Sequence, residues 1–335
     1  MIRVVINGFG RIGRNTFKAG FGRADLKNIE WVAVNDLTEP ANLAYLLKHD
    51  TVYHDYDKKV GYGDKYLTVN GKKILVFAEK DPAKLPWKKL RIDVVLECTG
   101  IFRDKESAGA HIKAGAKKVI ISAPSKGEGV GTYILGVNSD KYDGKEKVID
   151  NGSCTTNCIA PAMAVLHAAF GVEKALMTTV HGYTADQRLV DAPHKDYRRG
   201  RTAGQNMIPT TTGAAIATTK TIPDLVGKFD GISIRVPLPA GSISDFTCLL
   251  KKDVTIEQVN NAFKRAAKNP IYKGILTVTD EPIVSSDILG NPHSSIIDLA
   301  FTKVIGGNMV KVLAWYDNEW GYSNRLIEMV KKIAK

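Results

Sequence analysis

A chain of 335 residues is too long for one small domain and comfortable for two. Its 44% hydrophobic and 24% charged content, with no apolar run long enough to cross a bilayer, excludes a disordered or membrane-spanning class. The net charge of +12 admits nucleic acid as a rival partner, but the lysine pairs are scattered and no segment interleaves them with aromatics, so the charge reads as a solvated surface favourable to anionic substrates.

In chain order, Arg3–Asn7 reads as a strand running into a glycine turn, with no secretory signal expected ahead of it. A helix is predicted over Arg11–Phe21, a strand over Ile29–Asn35, and a helix over Pro40–Lys48 with Thr38 placed to cap it. Asn70-Gly71 between Tyr66–Val69 and Lys73–Phe77 signals a hairpin. Strands at Asp93–Cys98 and Lys118–Ser122 flank a helix near Asp104–Ala114. Alternation of this kind predicts an α/β domain, a mostly parallel sheet with helices on both faces. After a helix over about Cys154–Phe170, longer strands follow at Ala175–Tyr183, Gly231–Pro237, Ser242–Leu250, Ile296–Thr302 and Val310–Tyr316. They suggest a large, partly antiparallel sheet. Residues 184–210 lack periodicity, and a loop of that length in a compact domain is usually functional. The tail Tyr322–Lys335 has helical spacing. The four cysteines, Cys98, Cys154, Cys158 and Cys248, form no CxxC pair and no metal-ligand spacing, so no metal and a reducing, cytoplasmic setting are expected.

Gly8-Phe9-Gly10-Arg11-Ile12-Gly13 matches G-x-G-x-x-G between a predicted strand and a predicted helix. Glycines there allow a tight turn, close backbone approach to a pyrophosphate and close helix packing, and Asp36 ends the second strand, where a carboxylate can accept from ribose hydroxyls. Ser153-Cys154-Thr155-Thr156-Asn157-Cys158 opens a predicted helix. A helix terminus is worth at most ~2 kcal/mol, which leaves a thiol of ordinary pKa about half ionised at neutral pH, so a basic partner is needed. Cys158, one turn on, reads as a packing residue. Among seven histidines His181 has the best setting, at a strand end entering the long loop, although spacing alone does not separate a catalytic from a structural histidine.

The combination Asn7-Gly8-Phe9-Gly10-Arg11-Ile12-Gly13-Arg14, Ser153–Cys158, Pro209-Thr210-Thr211-Thr212-Gly213-Ala214-Ala215 and Trp315-Tyr316-Asp317-Asn318-Glu319 resembles the phosphorylating glyceraldehyde-3-phosphate dehydrogenase family, essentially from end to end. The resemblance implies a Rossmann-like NAD-binding domain over 1–153 and an α+β catalytic domain over 154–318 with a large mixed or antiparallel sheet. It also implies that a C-terminal helix over 319–335 returns to the first domain. Cys154 would be the nucleophile and His181 its base, carrying the aldehyde through a thiohemiacetal and a thioester that inorganic phosphate attacks. Gly8, Gly10, Arg11, Ile12, Gly13, Asp36, Lys80, Ser122 and Asn318 map to the NAD site. Thr184 and Arg235 map to the substrate phosphate; Ser153, Thr155, Arg199, Thr212 and Gly213 map to the attacking phosphate. A cytoplasmic homotetramer is implied, with loop 184–206 at a subunit interface. Lys80 stands where many members carry arginine, Gly182 where serine or alanine is commoner, and Ala192-Pro193 half resembles the NADP-using members. Erythrose-4-phosphate dehydrogenase of the same family, and a secondary nucleic-acid or surface-binding role, are the alternatives.

Overall fold

The computed structural model describes residues 1–334; Lys335, the end of the predicted tail helix, lies outside them. The chain divides into two compact units, one of Met1–Tyr133, Ser139–Gly152 and the tail from Ser323, the other of Ile134–Asn138 and Ser153–Tyr322.

The first unit runs β1 (Ile2–Asn7), α1 (Arg11–Gly20), β2 (Ile29–Asn35), α2 (Pro40–Lys48), β3 (Val60–Gly63), β4 (Tyr66–Val69), β5 (Lys72–Phe77), β6 (Val94–Glu97), α3 (Lys105–Lys113), β7 (Lys118–Ile121), β8 (Gly131–Thr132) and β9 (Val148–Asp150). Its nine strands lie in the order β3-β4-β5-β2-β1-β6-β7-β9-β8. All neighbours from β5 to β8 are parallel, and β3, β4 and β5 form an antiparallel meander. Asn70 and Gly71 both take positive φ, +48° and +77°, the geometry that a two-residue hairpin turn demands. The chain winds outward from β1 in both directions, so β1 and β6 flank the topological switch point, where such sheets bind ligands at their carboxyl ends. Val4, Val5 and Ile6 of β1 and Val94, Val95 and Leu96 of β6 are fully buried, as strands covered on both faces must be.

Thr38 is not the cap of α2. The cap position is Glu39 without a side-chain bond, and the Thr38 N–H donates instead to Asp36 Oδ1 at 3.0 Å.

The second unit runs α4 (Cys154–Phe170), β10 (Val172–Gly182), β11 (Ile208–Thr211), α5 (Ala214–Thr221), β12 (Phe229–Val236), β13 (Ser242–Leu250), α6 (Ile256–Lys268), β14 (Leu276–Thr279), β15 (Ser295–Ile305) and β16 (Met309–Tyr316). The last helix, α7 (Trp320–Ile333), starts here and continues into the first unit from Ser323. The seven-stranded sheet has the order β11-β12-β10-β13-β16-β15-β14, antiparallel except for β10–β12 and β14–β15. Alternate residues of β13, from Ser242 to Leu250, are buried, the period of a sheet covered on one face. That face meets α4 and α6 in one core containing Met163, Leu166, Phe246, Phe263 and Val312. Helix α6, not predicted from the sequence, starts at a full capping box closed by Thr255 and Gln258. Helix α5, short and built of alanine and threonine, offers no periodic signal. Among the described residues no helix is long and apolar enough to cross a membrane.

Candidate active site

The glycine turn of the first unit packs against the strand beside it. Gly8 has φ +89°, and a Cβ there would stand 2.7 Å from Thr99 N and 2.8 Å from Cys98 C, so only glycine lets the loops after β1 and β6 touch. A Cβ on Gly13 would meet Gly8 O at 2.3 Å, whereas one on Gly10 would find nothing within 4 Å. The first and third glycines serve packing; the second leaves open space at the start of α1. Arg11 and Ile12 are the first residues of that helix, where backbone N–H groups have no intrahelical acceptor. The Arg11 guanidinium itself pairs with buried Asp50 at 2.8 Å.

Asp36 follows β2. Its Oδ2 accepts from Phe9 N–H at 2.8 Å, tying the turn to the second strand. Beneath it a buried polar chain joins three strand ends: Asn35 Nδ2 donates to Asn7 Oδ1 at 2.6 Å, and Asn7 Nδ2 to Glu97 Oε2 at 2.6 Å. Trp87 Nε1 donates to His111 Nδ1, which leaves the proton on Nε2 to bond Glu97 Oε2 at 3.0 Å. Glu97 Oε1 accepts from Thr99 N–H and its hydroxyl. This network holds the floor of the crevice. Ser122 follows β7, its N–H on Glu97 O at 2.9 Å. Lys80 is exposed, in a turn that Glu79 anchors to Asn35. Open space at Gly10, a helix that starts at Arg11 and a carboxylate at the second strand end fit a dinucleotide.

In the second unit, Ser153 caps α4, its Oγ accepting from Thr156 N–H at 3.0 Å, and so sets Cys154 as the first helical residue. Pairing of β10 with β12 places His181 directly opposite Arg235. Cys154 Sγ lies 3.4 Å from His181 Nε2. The other ring nitrogen, Nδ1, lies 2.6 Å from Gly182 O. A carbonyl that close requires a proton on Nδ1, so Nε2 presents a lone pair to the thiol. Arg235 Nη1, 3.1 Å from Nδ1, then finds its acceptors in Thr184 Oγ1 at 3.0 Å and Gly182 O at 3.3 Å.

Burial, with the Arg235 cation beside it, pushes His181 down to about 3. Burial also pushes the Cys154 thiol up, and Arg235 pulls against that. Moving one proton from Sγ to Nε2 creates opposite charges 3.4 Å apart, whose attraction offsets the burial of both. The ring also packs edge-on against Tyr316, 5.9 Å between centroids.

Tyr316, part of the Trp315–Glu319 motif but not among the residues assigned a role from the sequence, is fully buried in this site. Its hydroxyl bonds Thr155 Oγ1 at 2.9 Å and Thr179 Oγ1 at 2.8 Å. The Thr155 hydroxyl thus faces Tyr316. Thr179 and His181 are two apart on one strand and share a face, a period-2 signal that was available in the sequence. Arg199 is fixed by three nitrogens: Nε to Thr210 Oγ1 at 2.9 Å, Nη1 to Asp186 Oδ2 at 2.8 Å and Nη2 to Thr211 O at 3.1 Å. It therefore stands beside Thr212 and Gly213, which open α5, while Arg201 pairs elsewhere, with Asp191. Asn318 Oδ1 accepts from Gly241 N–H and Ser242 Oγ. Cys158 is wholly buried in the core, its thiol against Ala314 O. At Gly182 a Cβ would meet Leu238 O at 2.9 Å, so the strand end is tightly packed there. Among the described residues no cluster could hold a metal ion.

Comparison with known proteins gives two family models, described as the glyceraldehyde 3-phosphate dehydrogenase NAD binding domain over residues 2–105 and the C-terminal domain of the same enzyme over residues 153–318. Among curated relatives, glyceraldehyde-3-phosphate dehydrogenase 2 of Streptomyces avermitilis is 54% identical over 98% of this chain and 97% of its own length. The enzyme of Geobacillus stearothermophilus is 52% identical over 99% and 98%, and that of Borreliella burgdorferi 51% over the whole of both chains.

Proposed function

This chain belongs to the glyceraldehyde 3-phosphate dehydrogenase family, and we propose on that basis that it oxidises glyceraldehyde 3-phosphate to 1,3-bisphosphoglycerate with NAD and inorganic phosphate, in glycolysis or gluconeogenesis. The observation that carries the reading is the Cys154 thiol 3.4 Å from a ring nitrogen whose tautomer makes it an acceptor.

The first unit would hold NAD, with the Arg11 and Ile12 amides on the pyrophosphate, Asp36 on the adenosine ribose, and Lys80 and Ser122 alongside. When bound, the cofactor accepts a hydride. His181 Nε2 takes the Cys154 proton as Sγ bonds to the aldehyde carbon. The oxygen that becomes negative is stabilised by N–H groups at the start of α4, which point along the helix dipole. It is protonated from His181 to complete the thiohemiacetal. As hydride leaves the carbon, His181 takes that hydroxyl proton back and a thioester remains. Phosphate oxygen then attacks the acyl carbon, the C–S bond breaks, and Cys154 departs as a thiolate beside the imidazolium. A thioester retains the oxidation energy that hydrolysis would dissipate.

Thr184 and Arg235 would grip the substrate phosphate; Ser153, Thr155, Arg199, Thr212 and Gly213 would receive the attacking one. Guanidinium groups and hydroxyls are the donors that two phosphates need. We further propose a cytoplasmic setting and a homotetramer, the latter supported by apolar side chains left exposed on the second unit, Leu176, Ile232, Phe301 and Met309 among them. NADH formation from glyceraldehyde 3-phosphate, with and without inorganic phosphate, tests the reading. Faster turnover of erythrose 4-phosphate, without need of phosphate, would transfer it to the sister activity.

A further inference from the structure

We propose that Asp186 is a built-in competitor for the phosphate-binding groups, a carboxylate that occupies their donors until a phosphorylated ligand displaces it and thereby sets the affinity of both subsites. The inference deepens the proposed function and rests on its assignment of Thr184, Arg235 and Arg199 to phosphate.

Asp186 bridges the two sets of residues. Its Oδ1 accepts the Thr184 hydroxyl proton, and its Oδ2 accepts from Arg199 Nη1 at 2.8 Å. A hydroxyl has one proton to give. Thr184 Oγ1 already accepts from Arg235 Nη1, so its single proton is committed to Asp186, and a phosphate oxygen can bond that hydroxyl only by taking the proton away. On the other side, three of the five Arg199 N–H donors are engaged, one of them by this carboxylate. A phosphate arriving there must share or displace Asp186.

The carboxylate is ionised. Burial would raise its pKa, but the Thr184 hydroxyl, Arg199 and Arg235 outweigh burial and hold it below the usual range. It therefore also repels an incoming dianion. It can yield its place, because its side chain is 44% exposed on a short turn closed by the Gln187 N–H on Thr184 O at 2.9 Å. Arg235 keeps a buried Nε with no partner, a donor direction that Asp186 does not satisfy. The cost in affinity has a return: the arginines and Thr184 are held in place, and product phosphate faces a ready replacement when it leaves.

The test is Asp186→Asn, which keeps shape and removes the charge. The first readout is the ratio of kcat/KM for glyceraldehyde 3-phosphate to that for unphosphorylated glyceraldehyde. The second, independent of turnover, is the affinity for inorganic phosphate, read as protection of Cys154 from alkylation by iodoacetamide. Loss of one competing hydrogen bond should raise both roughly 3- to 10-fold. A scaffold role predicts the reverse, since loosened arginines bind phosphate worse; a fall in either quantity, or no change in both, would overturn the proposal. A parent protein that binds phosphate but does not oxidise the aldehyde would instead count against the enzymatic reading. A parent that phosphate does not protect would remove the subsites on which Asp186 is argued to act.

Discussion

Replacing His181 by asparagine removes the proposed proton acceptor and keeps a polar side chain in its place. Once its proton has passed to His181, the Cys154 thiolate and the imidazolium, 3.4 Å apart, attract by ~5 kcal/mol at an effective dielectric of about 20, equivalent to roughly 3–4 pKa units. Cys154 is only partly buried, and water reaching it weakens that attraction. A rise of ~2–3 units in the thiol pKa is therefore expected in His181→Asn. The sign is fixed by charge: deleting a neighbouring cation disfavours the anion, so the thiolate forms at higher pH. Rates of Cys154 carbamidomethylation across a pH series, followed by mass spectrometry, measure the shift directly. Turnover should fall by about 10²–10⁴-fold, the usual worth of a positioned base. An alkylation profile that does not move would refute the ion-pair reasoning, and a large loss of turnover alone would then leave His181 as a base only.

Arg235→Ala should lower kcat/KM for glyceraldehyde 3-phosphate by about 10- to 150-fold, the loss of one charge-assisted bond, with a much smaller effect on unphosphorylated glyceraldehyde; a uniform loss would take Arg235 out of phosphate binding. Because Arg235 pushes His181 down, Arg235→Gln should raise the imidazole pKa, visible by ¹⁵N NMR of the ring, and a fall would contradict that electrostatic account. Asp36→Ala should erode a preference for NAD over NADP, since a carboxylate at the ribose both accepts hydroxyl protons and repels a 2′-phosphate; an unaltered ratio of kcat/KM would show that another group selects. Gly8→Ala should cost ~1–3 kcal/mol of stability, from positive φ and backbone contacts under 3 Å. Gly10→Ala should leave Tm unchanged while weakening NAD binding, and equal falls in Tm would erase the distinction between the two glycines.

What the sequence by itself determined is what neighbouring residues decide. A positive φ at Asn70-Gly71, a glycine turn between strand and helix, and a serine placed to cap the helix that Cys154 opens all follow from steric and hydrogen-bonding rules a few residues wide. The α/β class follows likewise, from periods of two and 3.6. The surroundings of the cysteine do not. Arg235 reaches His181 across 54 residues because β10 and β12 pair in a register that buries one face of the sheet, and a shift of one residue would turn the guanidinium away. Tyr316 comes from β16, a strand near the end of the chain, to close the same pocket. Residues 184–210 show no period in the sequence, so only the folded chain places Asp186 between Thr184 and Arg199. Even the choice among Arg198, Arg199 and Arg201 rests on which guanidinium finds Thr210 and Asp186 within reach. Local stereochemistry marked the candidate nucleophile, and the burial of a sheet face decided which charges surround it.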